Sequence, residues 1–460
     1  MPSPAATRIQ GLVSALESGL LERGTAVRLA LLAALAGEHV LLIGPPGTAK
    51  SELARRLHRA FDDARWFERL LTRFSTPEEL FGPLSLAALE HDRYERLVDG
   101  YLPTAGIAFL DEVFKANSAI LNALLTLLNE REFDNGSRRT RTPLISVVGA
   151  TNEVPAEEAL MAFHDRFLLR VPVEPVGDAS FAALLTLRPA AAAATQPFTR
   201  AELAELIRKR ETVPVAPEVL GHLAALRGVA AAQGITVSDR RWRQLIGLLR
   251  SAAASEGRSE VDALDLWLVP YVVAQQPPQV GPLRDWFAAE VVQAAPQDAP
   301  WLARAVEAFE KQLEIEQSLP AQEGDDAAGK LALARAIGGG REEGEGVLRM
   351  VSETMQRQLR RHWSPVHVAA RTAQLDELLV RAVGHADALR AQHGALEQRL
   401  QGRVWLPPEL AAPLLGALAA TLAMLDGFVA RLHSVRAGFA ALPIDATLPD
   451  TVPEPVASIA

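Results

Sequence analysis

Three short stretches of this chain carry residue types that can do chemistry together. The first is Gly44-Pro45-Pro46-Gly47-Thr48-Ala49-Lys50-Ser51, set between the apolar run Leu41-Leu42-Ile43 and a helix-prone segment from Glu52 to Ala60. Strand, glycine-bearing loop and helix is the order a phosphate cradle needs. In it the loop N–H groups and the helix N-terminus converge on one anion. Lys50 would reach the β- and γ-phosphates of a nucleotide, and the Ser51 hydroxyl would sit on Mg²⁺. The usual G-x-x-x-x-G-K-[ST] pattern has glycine before the lysine, whereas this chain has Ala49. Read alone, the stretch is also what an ordinary Gly/Pro turn with a surface lysine looks like.

The second stretch is Ile107-Ala108-Phe109-Leu110 followed by Asp111-Glu112. An apolar run of this length makes a buried parallel strand, and ligands of open α/β sheets bind at the C-terminal ends of such strands. Asp111 would hold Mg²⁺ through water, and Glu112 would orient and activate an attacking water. Phosphoryl transfer asks for this positioning and electrostatics and for little covalent chemistry. The third stretch is the strand Leu144 to Val148 running into Gly149-Ala150-Thr151-Asn152. The Asn152 amide can hydrogen-bond a water or γ-phosphate lying between the first two stretches, although asparagine is also a common turn residue.

Two arginines stand further off. Arg166 lies between a helical segment, Ala159 to Phe163, and a last strand ending at Val171. It is either the ion-pair partner of Asp165 or a cation presented outward, and only a neighbouring subunit could use the second arrangement. In Val237-Ser238-Asp239-Arg240-Arg241-Trp242, Ser238 caps a helix and so places Arg240 in its first turn. A cation there opposes the helix dipole, which calls for an anionic partner unless Arg240 is simply a surface residue.

The elements that must hold these residues are legible from periodicity. Two amphipathic helices span Thr7 to Ala36, with Ile9, Leu12, Val13, Leu16 and Leu20 on one face and a break at Gly24-Thr25. A strand at His39 to Ile43 leads into the loop, and Trp66 to Thr72 is strand-like. Thr76 to Gly82 is a capped helical turn, and Pro83 to Pro103 reads as an exposed insertion. Ser118 to Glu130 is a helix, and Asn135-Gly136 signals a two-residue hairpin beside Arg138-Arg139-Thr140-Arg141. Those arginines suit a solvated hairpin or a pore- or neighbour-facing surface equally well. Val176 to Pro197 reads as a linker, and Phe198 to about Gln275 as helices only. Pro277-Pro278 marks a boundary. Beyond a Gly- and acid-rich stretch at Gln322 to Gly346 come two long helices with heptad-like leucines, turned back on each other at Pro407-Pro408.

Composition narrows the possibilities. The chain has 460 residues, room for about three domains, and no cysteine, which excludes disulfides, thiolate metal sites and cysteine nucleophiles. A net charge of −9 provides no global field for nucleic acid, so another protein is the expected partner. No uninterrupted apolar run reaches the roughly 18 residues of a spanning segment, and the N-terminus Met1-Pro2-Ser3-Pro4 lacks a signal-peptide pattern. A cytoplasmic protein without a membrane span is therefore expected.

Together, Gly44 to Ser51, Asp111-Glu112, Asn152, Arg166 and Ser238-Asp239-Arg240 occur in the order and rough spacing of an AAA+ ATPase. The chain resembles the MoxR family and, within it, the RavA subfamily. The resemblance is carried by Ala49-Lys50-Ser51, Pro77-Glu78-Glu79-Leu80-Phe81-Gly82-Pro83-Leu84, Phe109-Leu110-Asp111-Glu112-Val113-Phe114-Lys115-Ala116-Asn117 and Val237 to Trp242. That family also has alanine at the position of Ala49. The resemblance implies an α/β fold: a P-loop αβα domain on a five-stranded parallel sheet, an all-α lid, and here a C-terminal coiled-coil-like helical stalk. It implies ATP and Mg²⁺ as ligands, Asn152 as sensor 1, Arg166 as the arginine finger and Arg240 as sensor 2, with Arg241 as the fallback. It further implies a homo-oligomeric ring, commonly a hexamer, that remodels a protein client as a chaperone-like motor with a von Willebrand factor A domain partner.

On this reading residues 1–176 form the nucleotide-binding domain, 177–277 the lid, 278–445 the helical stalk and 446–460 a disordered tail. RavA-like proteins carry a β-rich, decarboxylase-docking module in the C-terminal region. The stretch Gln322 to Gly346 is too short and Gly/Asp-rich to build one, so that binding is not carried over. Two other classes compete: a nucleic-acid-remodelling AAA+ motor, and a scaffold in which nucleotide only fixes the ring.

Overall fold

A computed structural model describes residues 3–187, 196–292, 299–319 and 361–456. Contacts divide it into two compact units, Met1–Ala294 with Arg399–Leu414, and Ala295–Gln398 with Leu415–Ala460.

The first unit opens with helices α1 (Pro4–Glu17) and α2 (Gly24–Ala36). Ile9, Leu12, Val13 and Leu16 are the buried face of α1, as the periodicity requires, and α2 is buried along nearly its whole length. The break falls at residues 18–23, so Gly24 opens α2 and does not separate the pair. Strands β1 (Val40–Ile43), β2 (Trp66–Leu70) and β3 (Ile107–Asp111) follow, then the hairpin β4 (Glu132–Asn135) and β5 (Arg138–Arg141), then β6 (Ser146–Thr151) and β7 (Leu169–Pro172). Five of these form one parallel sheet in the order β2-β3-β6-β1-β7. Strands β1 and β6 are buried at every position, which suits a parallel sheet covered on both faces. From β1 the chain goes to one side of the sheet and later returns past it to β7. That reversal leaves a crevice at the C-terminal end of β1.

The crossovers are α3 (Lys50–Leu57), the short α4 (Pro77–Phe81) and α5 (Leu86–Leu89), α6 (Ser118–Glu130) and α7 (Glu158–His164). The hairpin turns at Gly136-Ser137, with Asn135 opposite Arg138. Gly136 carries φ +65° at the first of the two loop positions, where glycine is favoured. The segment after α4 is tied to this hairpin. Asn135 Oδ1 accepts from Arg96 N at 2.6 Å, Asn135 Nδ2 donates to Arg96 O at 3.1 Å, and Phe81 stacks on Phe133 at 5.4 Å. Residues 138–141 are exposed, and Arg139 is paired with Asp134 and Glu130 of its own hairpin region.

The segment read as a linker, 176–197, contains helix α8 (Asp178–Leu185), and residues 188–195, which include the consecutive alanines at 190–194, lie outside the described residues. Helices α9 (Arg200–Arg210), α10 (Pro217–Ala232), α11 (Asp239–Glu256) and α12 (Val269–Val273) build the expected all-α lid, and α13 (Val280–Trp286) continues in the same unit. Helix α12 lies near β7, and Arg170 Nη1 donates to Ala274 O just after it at 3.1 Å.

The second unit contains α14 (Pro300–Ser318) and most of the two long helices α15 (Pro365–Leu400) and α16 (Pro408–Ala440). The latter two run antiparallel, as the pairs Asp376–Arg436 at 2.6 Å and Arg390–Asp426 require. Leu375, Ala382, Ala386 and Leu389 face Leu418, Leu425, Leu432 and Phe439 as buried seam residues. Among the described residues α16 alone is long and apolar enough to cross a membrane by length and composition, with a mean hydropathy of 1.7 over its best window. The Gly/acidic stretch at 322–346 and the chain end at 457–460 lie outside the described residues, and residues 446–456 form neither helix nor strand.

Candidate functional site

The loop after β1 is shaped by two positions. Gly44 N donates to Thr151 O at 3.0 Å, fastening the ends of β1 and β6 together. A Cβ on Gly44 would lie 2.0 Å from Val173 O, so no other residue fits there. Ala49 takes φ +64°, ψ +24° and caps α3. This is left-handed backbone that glycine adopts freely and alanine only at a cost. The departure from the usual motif is thus a residue held in the conformation the motif demands. Among the described residues the N–H groups of Gly47 and Ala49 have no acceptor, which leaves them for an anion. Lys50 is buried inside the loop, with Nζ 2.7 Å from Gly44 O and 2.8 Å from Pro45 O. Burial pushes its pKa down, against the opposing pull of the Asp111 and Glu112 carboxylates.

Asp111 ends β3, and its Oδ1 accepts from Glu112 N at 3.0 Å. Glu112 has φ +51°, ψ +45°, a left-handed conformation that is strained for a side-chain-bearing residue by about 1–3 kcal/mol. The turn aims its carboxylate at the end of β6, where Asn152 Nδ2 donates to Oε1 at 2.6 Å, while Lys115 Nζ lies 3.3 Å from Oε2. Lys50, Asp111, Glu112 and Asn152 therefore meet at the C-terminal ends of three neighbouring strands, β3, β6 and β1. Ser51 is the second residue of α3 and sits on the same loop. The hydroxyl of Ser51 and the carboxylate of Asp111 are hard oxygen donors, the set Mg²⁺ takes beside phosphate oxygens and water.

Arg166 and Arg240 are not part of this cluster. Arg166 N donates to Phe163 O at 3.0 Å, and its Nε is buried with no acceptor among the described residues. Of the two arrangements open to Arg166, the ion pair with Asp165 is not formed. That carboxylate takes Arg241 at 3.1 Å and Arg170 at 3.5 Å. Ser238 caps α11 as expected, accepting from Arg241 N at 3.3 Å. Arg240 then lies beside Asn129, with Nη2 3.4 Å from Oδ1. Close by is the carboxyl of Glu38, which burial pushes up to about 7 against the pull of Arg131, Arg210 and Arg240. Glu38 precedes β1 and the phosphate loop follows it, so Arg240 lies toward the opposite end of the strand from its own loop. Arg241 is buried, donating to Phe167 O at 2.8 Å and Leu168 O at 2.9 Å, and works as a clamp between lid and sheet.

Periodicity gave no sign of Arg23. Its guanidinium is buried and donates to Thr48 O at 3.0 Å, Glu22 O at 2.9 Å and Glu174 O at 2.6 Å, bracing the phosphate loop against the segment after β7. Beside it opens a cavity of about 690 Å³, lined among others by Arg23, Thr25, Val173, Tyr271, Arg284 and Glu409. Such a volume accommodates a small organic ligand. The only sequence signal nearby was the helix break read at Gly24-Thr25, which did not point to Arg23.

Fold and site define a P-loop nucleotide-binding protein of AAA+ architecture with a helical lid. Residues 7–208 match the family described as the MoxR domain in MoxR–vWA–β-propeller ternary systems, and residues 218–287 match an AAA lid domain. Two uncharacterized proteins of Methanocaldococcus jannaschii are 39% and 40% identical over 58% and 57% of this chain and 70% of their own lengths. The protein MoxR of Paracoccus denitrificans is 29% identical over 36% of this chain and 50% of its own. The chain belongs to the MoxR family of AAA+ ATPases.

Proposed function

We propose that this chain hydrolyses ATP in the presence of Mg²⁺ and, as a ring-shaped homo-oligomer, uses the hydrolysis to remodel or assemble a protein complex. One observation carries the reading: Lys50, Asp111, Glu112 and Asn152 converge beside a loop whose Gly47 and Ala49 N–H groups have no acceptor among the described residues. In this scheme the loop and Lys50 hold the phosphates, and Glu112 orients a water for in-line attack on the γ-phosphorus and takes its proton. Asn152, already on the Glu112 carboxylate, fixes that orientation. Ser51 and, through water, Asp111 would hold Mg²⁺, which neutralises charge on the phosphate oxygens. Residues 1–176 would be the nucleotide-binding part and 177–277 the lid.

Arg166 and Arg240 fit the scheme only if a second subunit brings them to the nucleotide. A hexameric ring is the arrangement we favour, with Arg166 as finger and Arg240 as sensor 2. The matched family's own description supports a von Willebrand factor A domain partner, and that reading is preferred to a RavA-specific role. The test is hydrolysis by mixed oligomers. Arg166→Ala and Lys50→Ala should each be inactive alone, should regain activity when mixed, and should lose it again with EDTA. Mixtures that stay as inactive as the separate variants would overturn the trans assignment. EDTA-insensitive hydrolysis would overturn the metal.

A further inference from the structure

The turn between the two long helices, remote in sequence from the phosphate loop, is built into the first unit. Its anchoring is dense. Glu256 Oε1 accepts from Val404 N at 2.7 Å and Trp405 N at 3.2 Å, and Trp405 Nε1 donates to Ser255 Oγ at 2.9 Å. Arg403 pairs with Asp262 and, at 3.0 Å, with Asp265, while Arg28 Nε donates to Val404 O at 3.0 Å. Trp405 is among the largest fully buried side chains of the chain. A loop needing only to reverse direction would not require this much specific bonding.

What the anchoring achieves is to bring Glu409 to the rim of the cavity beside the phosphate loop. There Glu409 Oε1 accepts from Thr25 Oγ1 at 2.9 Å. Two residues earlier, Arg23 donates to Thr48 O at 3.0 Å inside the phosphate loop. Val173, whose carbonyl abuts Gly44, lines the same cavity. Arg23 and Val173 thus touch both the phosphate loop and the cavity, so this space adjoins the loop and has room for the sugar and base of a nucleotide whose phosphates the loop would hold.

We propose that the 403–409 turn completes the nucleotide site, with the Glu409 carboxylate accepting a hydrogen bond from the 2′-hydroxyl or the 6-amino group of the nucleoside. The inference rests on the ATP-binding reading above. It makes the junction between the two long helices a sensor of nucleotide occupancy, because a ligand bonded to Glu409 holds the turn in place.

The experiment uses the full chain. Binding of ATP, 2′-deoxy-ATP and purine riboside triphosphate is measured for wild type, Glu409→Gln and Glu409→Ala. Glu409 is exposed, so both variants should melt with the wild type. Loss of a charge-assisted hydrogen bond should weaken ATP binding by about tenfold in Glu409→Ala. That penalty should vanish with whichever analogue lacks the donor: the 2′-hydroxyl in the first or the 6-amino group in the second. In wild type, ADP should slow amide exchange at Val404, Trp405, Leu406, Glu409 and Leu410 by about tenfold as well as in the phosphate loop. No ATP penalty, the same penalty for all three nucleotides, or protection confined to the phosphate loop would each overturn the inference. Failure of wild type to bind any of the three would instead overturn the ATP reading beneath it.

Discussion

Replacing Arg23 with methionine keeps the length and apolar stem of the side chain and removes its guanidinium. Three carbonyls lose their donor: Thr48, Glu22 and Glu174, at 3.0, 2.9 and 2.6 Å. At about 1 kcal/mol per bond the gross loss is about 3 kcal/mol. Part is offset, because burial disfavours the Arg23 charge and pushes its pKa down, and because the neighbouring cavity lets water reach some of the freed carbonyls. A net loss of about 2 kcal/mol is expected. With a urea dependence of about 3 kcal/mol per molar, the unfolding midpoint of the first unit should fall by about 0.7 M. The loop carrying Lys50 also loses its brace at Thr48, so ATP affinity should fall by about tenfold or more. Arg23→Lys should be intermediate, since a point-like ammonium reaches one carbonyl where the planar fork reaches three. Urea unfolding followed by amide exchange assigns the loss to the first unit, and calorimetry reads the affinity. A midpoint within about 0.2 M of wild type together with unchanged ATP affinity would refute the bracing role.

Two further perturbations follow from backbone and burial. Ala49→Gly relieves a left-handed alanine costing about 1–2 kcal/mol and gives back about 0.4–1 kcal/mol in unfolded-chain entropy. The variant should therefore be more stable by about 0.5–1 kcal/mol in chemical denaturation, and a loss of stability would contradict the assigned loop geometry. Glu38 has its carboxyl raised from 4.5 to about 7, so the folded chain holds a proton there that the unfolded chain releases. Its stabilising contribution is full below pH 4.5 and is lost as pH rises through 7. Glu38→Gln should accordingly match wild type at pH 4.5 and be more stable at pH 8 by an amount on the order of 1–3 kcal/mol, read from urea midpoints at the two values.

The parts of the site that the sequence made legible are local. Strand, loop and helix from Leu41 to Ala60 are contiguous, and the apolar run ending at Asp111-Glu112 announces its own carboxyl end. Ser118–Glu130 emerged as a helix with the expected boundaries because its N-cap, Asn117, and its apolar period agree. Arg23 was not legible, since its partners Thr48 and Glu174 lie 25 and 151 positions away. The return of residues 399–414 to the first unit has no periodic signature either. Polar pairs such as Arg403 with Asp265, 138 positions apart, bring it there. Helix α8 was hidden because Phe181, Leu184 and Leu185 are exposed and give no two-sided pattern. Arg240 illustrates a different limit. Its cap and helix turn were readable, but its distance from the loop depends on how the lid packs on the sheet.

Nucleotide binding and turnover measured side by side in Glu112→Gln and Lys50→Ala test the central claim most directly. The Glu112 carboxylate is assigned to the attacking water and the Lys50 ammonium to the phosphates, so the two losses should separate. Glu112→Gln should bind Mg²⁺-ATP within about threefold of wild type and lose turnover by about 10²-fold or more, while Lys50→Ala should lose binding itself. Wild-type turnover in Glu112→Gln, or undiminished ATP affinity in Lys50→Ala, would contradict the account.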